Sequence, residues 1–142
     1  MRRQLIVLIL FLMLCGCSGK ESQKMPELDL TDLSDTMAYS QLINIIKEPQ
    51  DYLGKTIILT GIFTAPFNGF SHQYNYTVTI QDNTQCCAQG IEFLPQEKLR
   101  FPDDFPEEGE MITVRGILSL FEEGKHAYCV IEDAVFEMEL SG

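Results

Sequence analysis

Lys55-Thr56-Ile57-Ile58-Leu59-Thr60-Gly61-Ile62-Phe63-Thr64 reads as a β-strand. It is rich in Ile, Leu and Thr, and a glycine stands in its middle. A mid-strand glycine marks a bulge or a sharp bend at a barrel corner. The same design recurs in Met111 to Phe121, where Ile112, Val114, Leu118 and Leu120 face one way and Gly116 stands between them. Together with five strands in all and a longer connection after the third, these glycine-interrupted first and fourth strands suggest an OB-fold barrel, although the strand spacing also fits other small all-β barrels.

Working outward, Tyr74 to Asp82 alternates, with Tyr74, Tyr76, Val78 and Ile80 on one face and Asn75, Thr77, Thr79 and Gln81 on the other. Asp82-Asn83 makes a turn. Gly90 to Leu94 is a third short strand with Ile91 and Phe93 inward, and Pro95 to Gly109 is a proline-rich acidic connection with room for one helical turn. Glu122 to Lys125 is a hairpin turn, and His126 to about Leu140 is a fifth strand, bent near Asp133. Ahead of the first strand, Leu42, Ile45 and Ile46 recur at helical spacing, with Met37 and Ala38 on the same face. Ser34 or Asp35 caps this helix, and Pro49 bounds it. The expected fold is all-β, a five-stranded OB-fold-like barrel with a short N-terminal α-helix, over residues 36–142.

The N-terminus is organised differently. Met1-Arg2-Arg3 is basic, and Leu5 to Leu14 is an apolar run too short for a bilayer, which needs about 20 residues. This is the pattern of an export signal. Leu14-Cys15-Gly16-Cys17 follows, and a leucine three before a cysteine with glycine between resembles the lipobox of bacterial lipoproteins. The resemblance implies cleavage after residue 16, acylation of Cys17, and anchoring on the outer face of the cell membrane. Two acyl chains anchor stably where one binds marginally. Residues 17–35 then read as the lipidated cysteine and a flexible acidic tether, polar and without periodicity.

Removing residues 1–16 takes two of the ten basic residues, leaving 8 against 21 acidic ones, a net charge of −13. Such a surface repels phosphates, so nucleic acid is not an expected partner despite the fold. Anionic headgroups repel it too, so the lipid does the holding. The expected partners are the membrane, through the N-terminal lipid, and a small molecule or protein that the sequence does not name.

Pro49-Gln50-Asp51-Tyr52-Leu53-Gly54-Lys55-Thr56, leading into Ile57 to Gly61, resembles the entry to the first strand of extracytoplasmic bacterial OB-fold domains. Cys86-Cys87-Ala88-Gln89-Gly90-Ile91-Glu92-Phe93, the later Tyr128-Cys129 and the Phe101 to Pro106 loop resemble a group of Gram-positive OB-fold lipoproteins. The paired cysteines are also loosely similar to the outer domain of a permease-associated membrane protein family. The resemblance spans most of residues 36–137; it implies fold and location, and no activity.

Besides Cys17, the exported chain carries Cys86, Cys87 and Cys129. In an OB barrel the third and fifth strands run parallel, so their starts share one end. Cys86 and Cys87 precede the third strand, and His126 and Cys129 open the fifth, so the topology draws all four towards one rim. Three readings stand. Cys129 forms a disulfide with Cys86 or Cys87, with Cα atoms within or just outside about 4.4–6.8 Å and His126 exposed nearby. Or the thiolates and imidazole hold a soft metal, zinc or copper, although adjacent cysteines rarely point at one ion. Or Cys129, on the face of Ala127 and Ile131, is a small core residue.

The loop between the first two strands carries Phe67, Phe70 and His72, and OB folds use this loop to frame a ligand face. With Tyr74 and Tyr76 these are the ligand-face candidates, against the alternative that the phenylalanines cap the barrel end. The acids from Asp103 to Glu110 lack the spacing of a calcium loop. No nucleophile elbow, phosphate-cradling loop or His-Glu-x-x-His appears, so an enzyme is not expected. The reading is a binding or interaction module. The alternative is a metal-binding transport accessory; a third is a thiol–disulfide protein using Cys86 and Cys87, against which the lack of Cys-x-x-Cys counts.

Overall fold

The computed structural model describes residues 27–124 and 126–138. The expected export signal, the expected lipidation site Cys17 and the first part of the expected tether lie outside these. In chain order come β1 (Glu27–Asp29), α1 (Asp35–Lys47), a 3-10 turn at Pro49–Asp51, β2 (Thr56–Thr64), β3 (Phe67–Asn68) and β4 (Gln73–Tyr74). Then follow β5 (Thr77–Gln81), β6 (Ala88–Pro95), β7 (Met111–Glu123) and β8 (His126–Met138). The main sheet has the order β1-β2-β5-β6-β8-β7, and β2 also pairs with β7, which closes the five long strands into a barrel. Counting only those five, the circuit is first, second, third, fifth, fourth and back to first. The third and fifth are the parallel pair, as an OB-fold-like barrel requires.

Alternation explains each wall. β2 buries Ile57, Leu59, Gly61 and Phe63 and leaves its other residues half-buried. Val78 and Ile80, Ile91 and Phe93, and Ile112, Val114 and Leu118 complete the interior with Ile131 and Ala134. The two glycines sit where strands cross too closely for a side chain. A Cβ on Gly61 would stand 2.6 Å from the Thr79 carbonyl oxygen, and one on Gly116 2.5 Å from that of Glu132. Opposite Gly116, the ladder between β7 and β8 shifts register, and Asp133 takes a left-handed φ of 50°. That is the bend expected in the fifth strand.

α1 starts after Ser34 and buries Ala38, Leu42 and Ile45, at i, i+4 and i+7, against the barrel beside β5 and β6. Met37, expected on this face, is instead 57% exposed, because it lies one position round the helix from Ala38. The expected tether is also shorter. Glu27–Asp29 pairs in parallel with Thr56–Ile58, and Leu30 is buried. Three alternating residues are too few to read as a strand, yet they add an edge to β2.

The second expected strand is split: Gln73 and Tyr74 pair with Phe67 and Asn68 in a separate hairpin. No helix occupies the connection after β6. Instead Phe105 stacks on Phe63, Tyr76 and Phe136 at centroid distances of 5.7, 4.1 and 5.3 Å. Those partners stand at the end of β2, just before β5, and late in β8, so the aromatic plug marks one end of the barrel. The turns β5–β6 and β7–β8 lie at the other. Among the described residues no helix is long and apolar enough to cross a membrane.

Candidate metal-binding site

At the end remote from the plug, residues 82–87 join β5 to β6. The connection is pinned on Asp82: its N–H donates to the Cys87 carbonyl at 3.0 Å, and its carbonyl accepts from Gln85 at 2.9 Å. Gln85 takes a left-handed φ of 56°, which turns the chain back towards the barrel. The Asp82 side chain fills the concave side. Both its oxygens lie 2.9 Å from the Thr84 hydroxyl, and one accepts from the Cys87 N–H at 3.4 Å. The Thr84 hydroxyl, then the Cys87 amide, outweigh desolvation and hold the Asp82 carboxyl below its ordinary pKa. The carboxylate is therefore charged and preorganised.

The two thiols close over it. Cys86 Sγ lies 2.9 Å from Thr84 Oγ1, 3.7 Å from Asp82 Oδ2 and 3.5 Å from Cys87 Sγ. Adjacent residues of a strand point to opposite faces. Here the pair precedes β6 and sits in the turn, so that rule does not apply and both sulfurs fall on one side. The Cys87 thiol is pushed up, first by its hydrogen bond with Cys86 and then by the charge of that neighbour. One ligand atom from each of Asp82, Cys86 and Cys87 lies within 4.8 Å of the others, with both cysteines exposed.

Tyr39 reaches the same corner from α1. Desolvation, then the Cys87 thiol and the Asp82 carboxylate, push its phenol up. Sequence reading passed over both Asp82 and Tyr39. Asp82 was legible only as a turn residue, although it stands four before Cys86. Nothing in a helical period marks Tyr39 as facing a distant hairpin.

Cys129 does not join the pair. It is 8% exposed within the hydrophobic core, opposite Leu120 on β7, and burial pushes its thiol up. The parallel register of Glu92 with Val130 sets Cys129 level with Ile91. That is four residues beyond Cys87, about 13 Å at the rise of a strand. A disulfide from Cys129 to Cys86 or Cys87 is therefore out of reach, and all three thiols are free. Sharing an end of the barrel fixed the direction of the strands but not the depth of the residue. The core reading of Cys129 is the one the structure has. His126 is exposed at the far end of β8, where its cross-strand partner is Glu123, and it is outside the ligand cluster. The same register sets His126 level with Ala88, at the height of the cysteine turn, but its imidazole is not among the groups whose ligand atoms lie within 4.8 Å of one another.

At the opposite end Phe67 is 56% exposed and packs edge-on to Tyr74 at 5.3 Å, with His72 at 6.4 Å. Phe70, at the hairpin tip, is fully exposed. Neither phenylalanine caps the barrel; Phe101 and Phe105 do. Tyr74 and Tyr76 share a cleft of about 340 Å3 with Gln73, Asn75 and Glu92. Its walls are mixed, and among the described residues they bring no metal-ligating cluster together. No protein-family model matches the chain, and no curated protein matches it.

Proposed function

We propose that this chain is a lipid-anchored extracytoplasmic OB-fold module that binds a thiophilic metal ion, zinc foremost, through Asp82, Cys86 and Cys87. The observation that carries the reading is the 3.5 Å between the two sulfurs. Two thiolates bound tetrahedrally to one zinc at about 2.3 Å stand about 3.8 Å apart. The turn therefore presents its sulfurs close to the spacing one ion needs, with a charged carboxylate behind them. Thiolate with carboxylate suits zinc; monovalent copper would use the two sulfurs and leave the oxygen idle. Three protein ligands on an exposed turn leave a fourth position open to water or to an incoming ligand, which is the arrangement for exchange rather than permanent structure. The anchoring half of the proposal is supported by the basic start, the short apolar run and Leu14-Cys15-Gly16-Cys17.

The test is a zinc titration of the full chain, purified in detergent with its thiols reduced, against a competing chelator. One equivalent should bind, and Cys86→Ser or Cys87→Ser should abolish it while Cys129→Ser does not. No stoichiometric binding by the reduced protein, or binding indifferent to both turn cysteines, overturns the reading. For anchoring, Cys17→Ala should leave the precursor uncut or free of the membrane; normal acylation of that variant contradicts it.

A further inference from the structure

We propose that Cys86 and Cys87 close reversibly into a disulfide with each other, and that this two-electron oxidation switches off the metal site. The inference rests on the zinc reading for its consequence, but its chemistry rests on the turn itself. The sulfurs are 3.5 Å apart and need to approach to about 2.05 Å, a movement that side-chain torsions in an exposed turn supply. Among the three free thiols of the described residues, these two alone are exposed, so a soluble oxidant reaches them and not Cys129.

The oxidant required is a small-molecule disulfide. One thiolate of the pair attacks a sulfur of that disulfide; a mixed disulfide forms and one small thiolate leaves. The second cysteine gives its proton to water and attacks the sulfur of the mixed disulfide, expelling the second small thiolate. Two protein thiols are oxidised and one small disulfide is reduced to two thiols. The product joins neighbouring residues, whose Cα atoms are about 3.8 Å apart across a trans peptide, short of the usual span of about 4.4–6.8 Å. Such a bond is strained and therefore easily reduced, which makes the step reversible. A disulfide sulfur has lost the charge that binds zinc, so closing the bond removes two of the three ligands at once.

The experiment treats metal-free, detergent-solubilised full chain with oxidised glutathione and maps the turn peptide by mass spectrometry, in parallel with zinc-loaded protein. The expected result is a peptide lighter by two hydrogens with no glutathione attached, restored by dithiothreitol, and slower to form when zinc is bound. The oxidised protein should bind no equivalent of zinc. Cys86→Ser and Cys87→Ser should each stop at a stable glutathione adduct. Persistent adducts on the wild type, or unreacted thiols, overturn the switch whatever the metal result. Closure without any zinc binding by the reduced protein overturns the metal reading, and with it the consequence drawn here. Closure that leaves zinc affinity unchanged sinks the switch and leaves a site that does not use these sulfurs.

Discussion

Cys86 Sγ and Cys87 Sγ lie 3.5 Å apart on one side of the turn between β5 and β6, with the Asp82 carboxylate beneath them. Two adjacent thiols in a strand would have been divided between its faces. Placing them before β6 rather than within it, with Gln85 in a left-handed conformation ahead of them, brings both sulfurs to one side of the turn.

Zinc binding should strengthen as pH rises. The Cys87 thiol is held above its ordinary pKa by Cys86, so at neutral pH zinc must displace its proton. Up to two protons leave per ion, so the apparent affinity should climb by up to about 100-fold per pH unit below the thiol range. Competition titrations at several pH values check this. A pH-independent affinity would mean the thiols are not ligands.

Thr84→Val should raise the Asp82 carboxyl pKa towards its ordinary value, because the Thr84 hydroxyl is the main cause of the depression. A group with a depressed folded-state pKa adds stability above its unfolded value and loses it as pH falls through the folded one. Any stability difference from the wild type should therefore be fully present above about pH 4 and fade as pH falls below it, while the carboxyl titration itself moves up. Carboxyl chemical shifts followed through an acid titration give the answer.

Cys129→Ser should destabilise the barrel to the same degree under oxidising and reducing conditions. The residue sits in the core, and a hydroxyl there without a partner costs about 1–3 kcal/mol. A melting-temperature difference that vanishes on reduction would instead point to a disulfide.

Gly116→Ala should be costly for so small a change. Its Cβ would stand 2.5 Å from the Glu132 carbonyl oxygen and from Ile131 Cγ2, so backbone must move. A loss of about 1–3 kcal/mol is expected, read by chemical denaturation. Unchanged stability would show that β7 and β8 do not cross so tightly.

How far the sequence carried can be seen at particular residues. Gly61 and Gly116 announced the barrel corners, because only a close crossing justifies glycine in such apolar strands. The alternation of Val78 with Ile80, and of Ile112 with Val114, gave the inner face directly. β1 escaped notice because three residues show no period, and its pairing depends on a distant edge. The site was half legible. Cys86 and Cys87 stood out by type, but Asp82 joins the candidate ligand set only through the turn's hydrogen bonds. Cys129 was grouped with them because strand direction can be read from topology, whereas register along the strand cannot.

The central claim is that one zinc ion sits on Asp82, Cys86 and Cys87. X-ray absorption at the zinc edge of the loaded, reduced full chain tests it most directly. The account predicts two sulfur neighbours at about 2.3 Å and oxygen neighbours at about 2.0–2.2 Å, with the sulfur shell unchanged in Cys129→Ser. A shell of oxygen and nitrogen alone, or a sulfur count that falls when Cys129 is replaced, would contradict it.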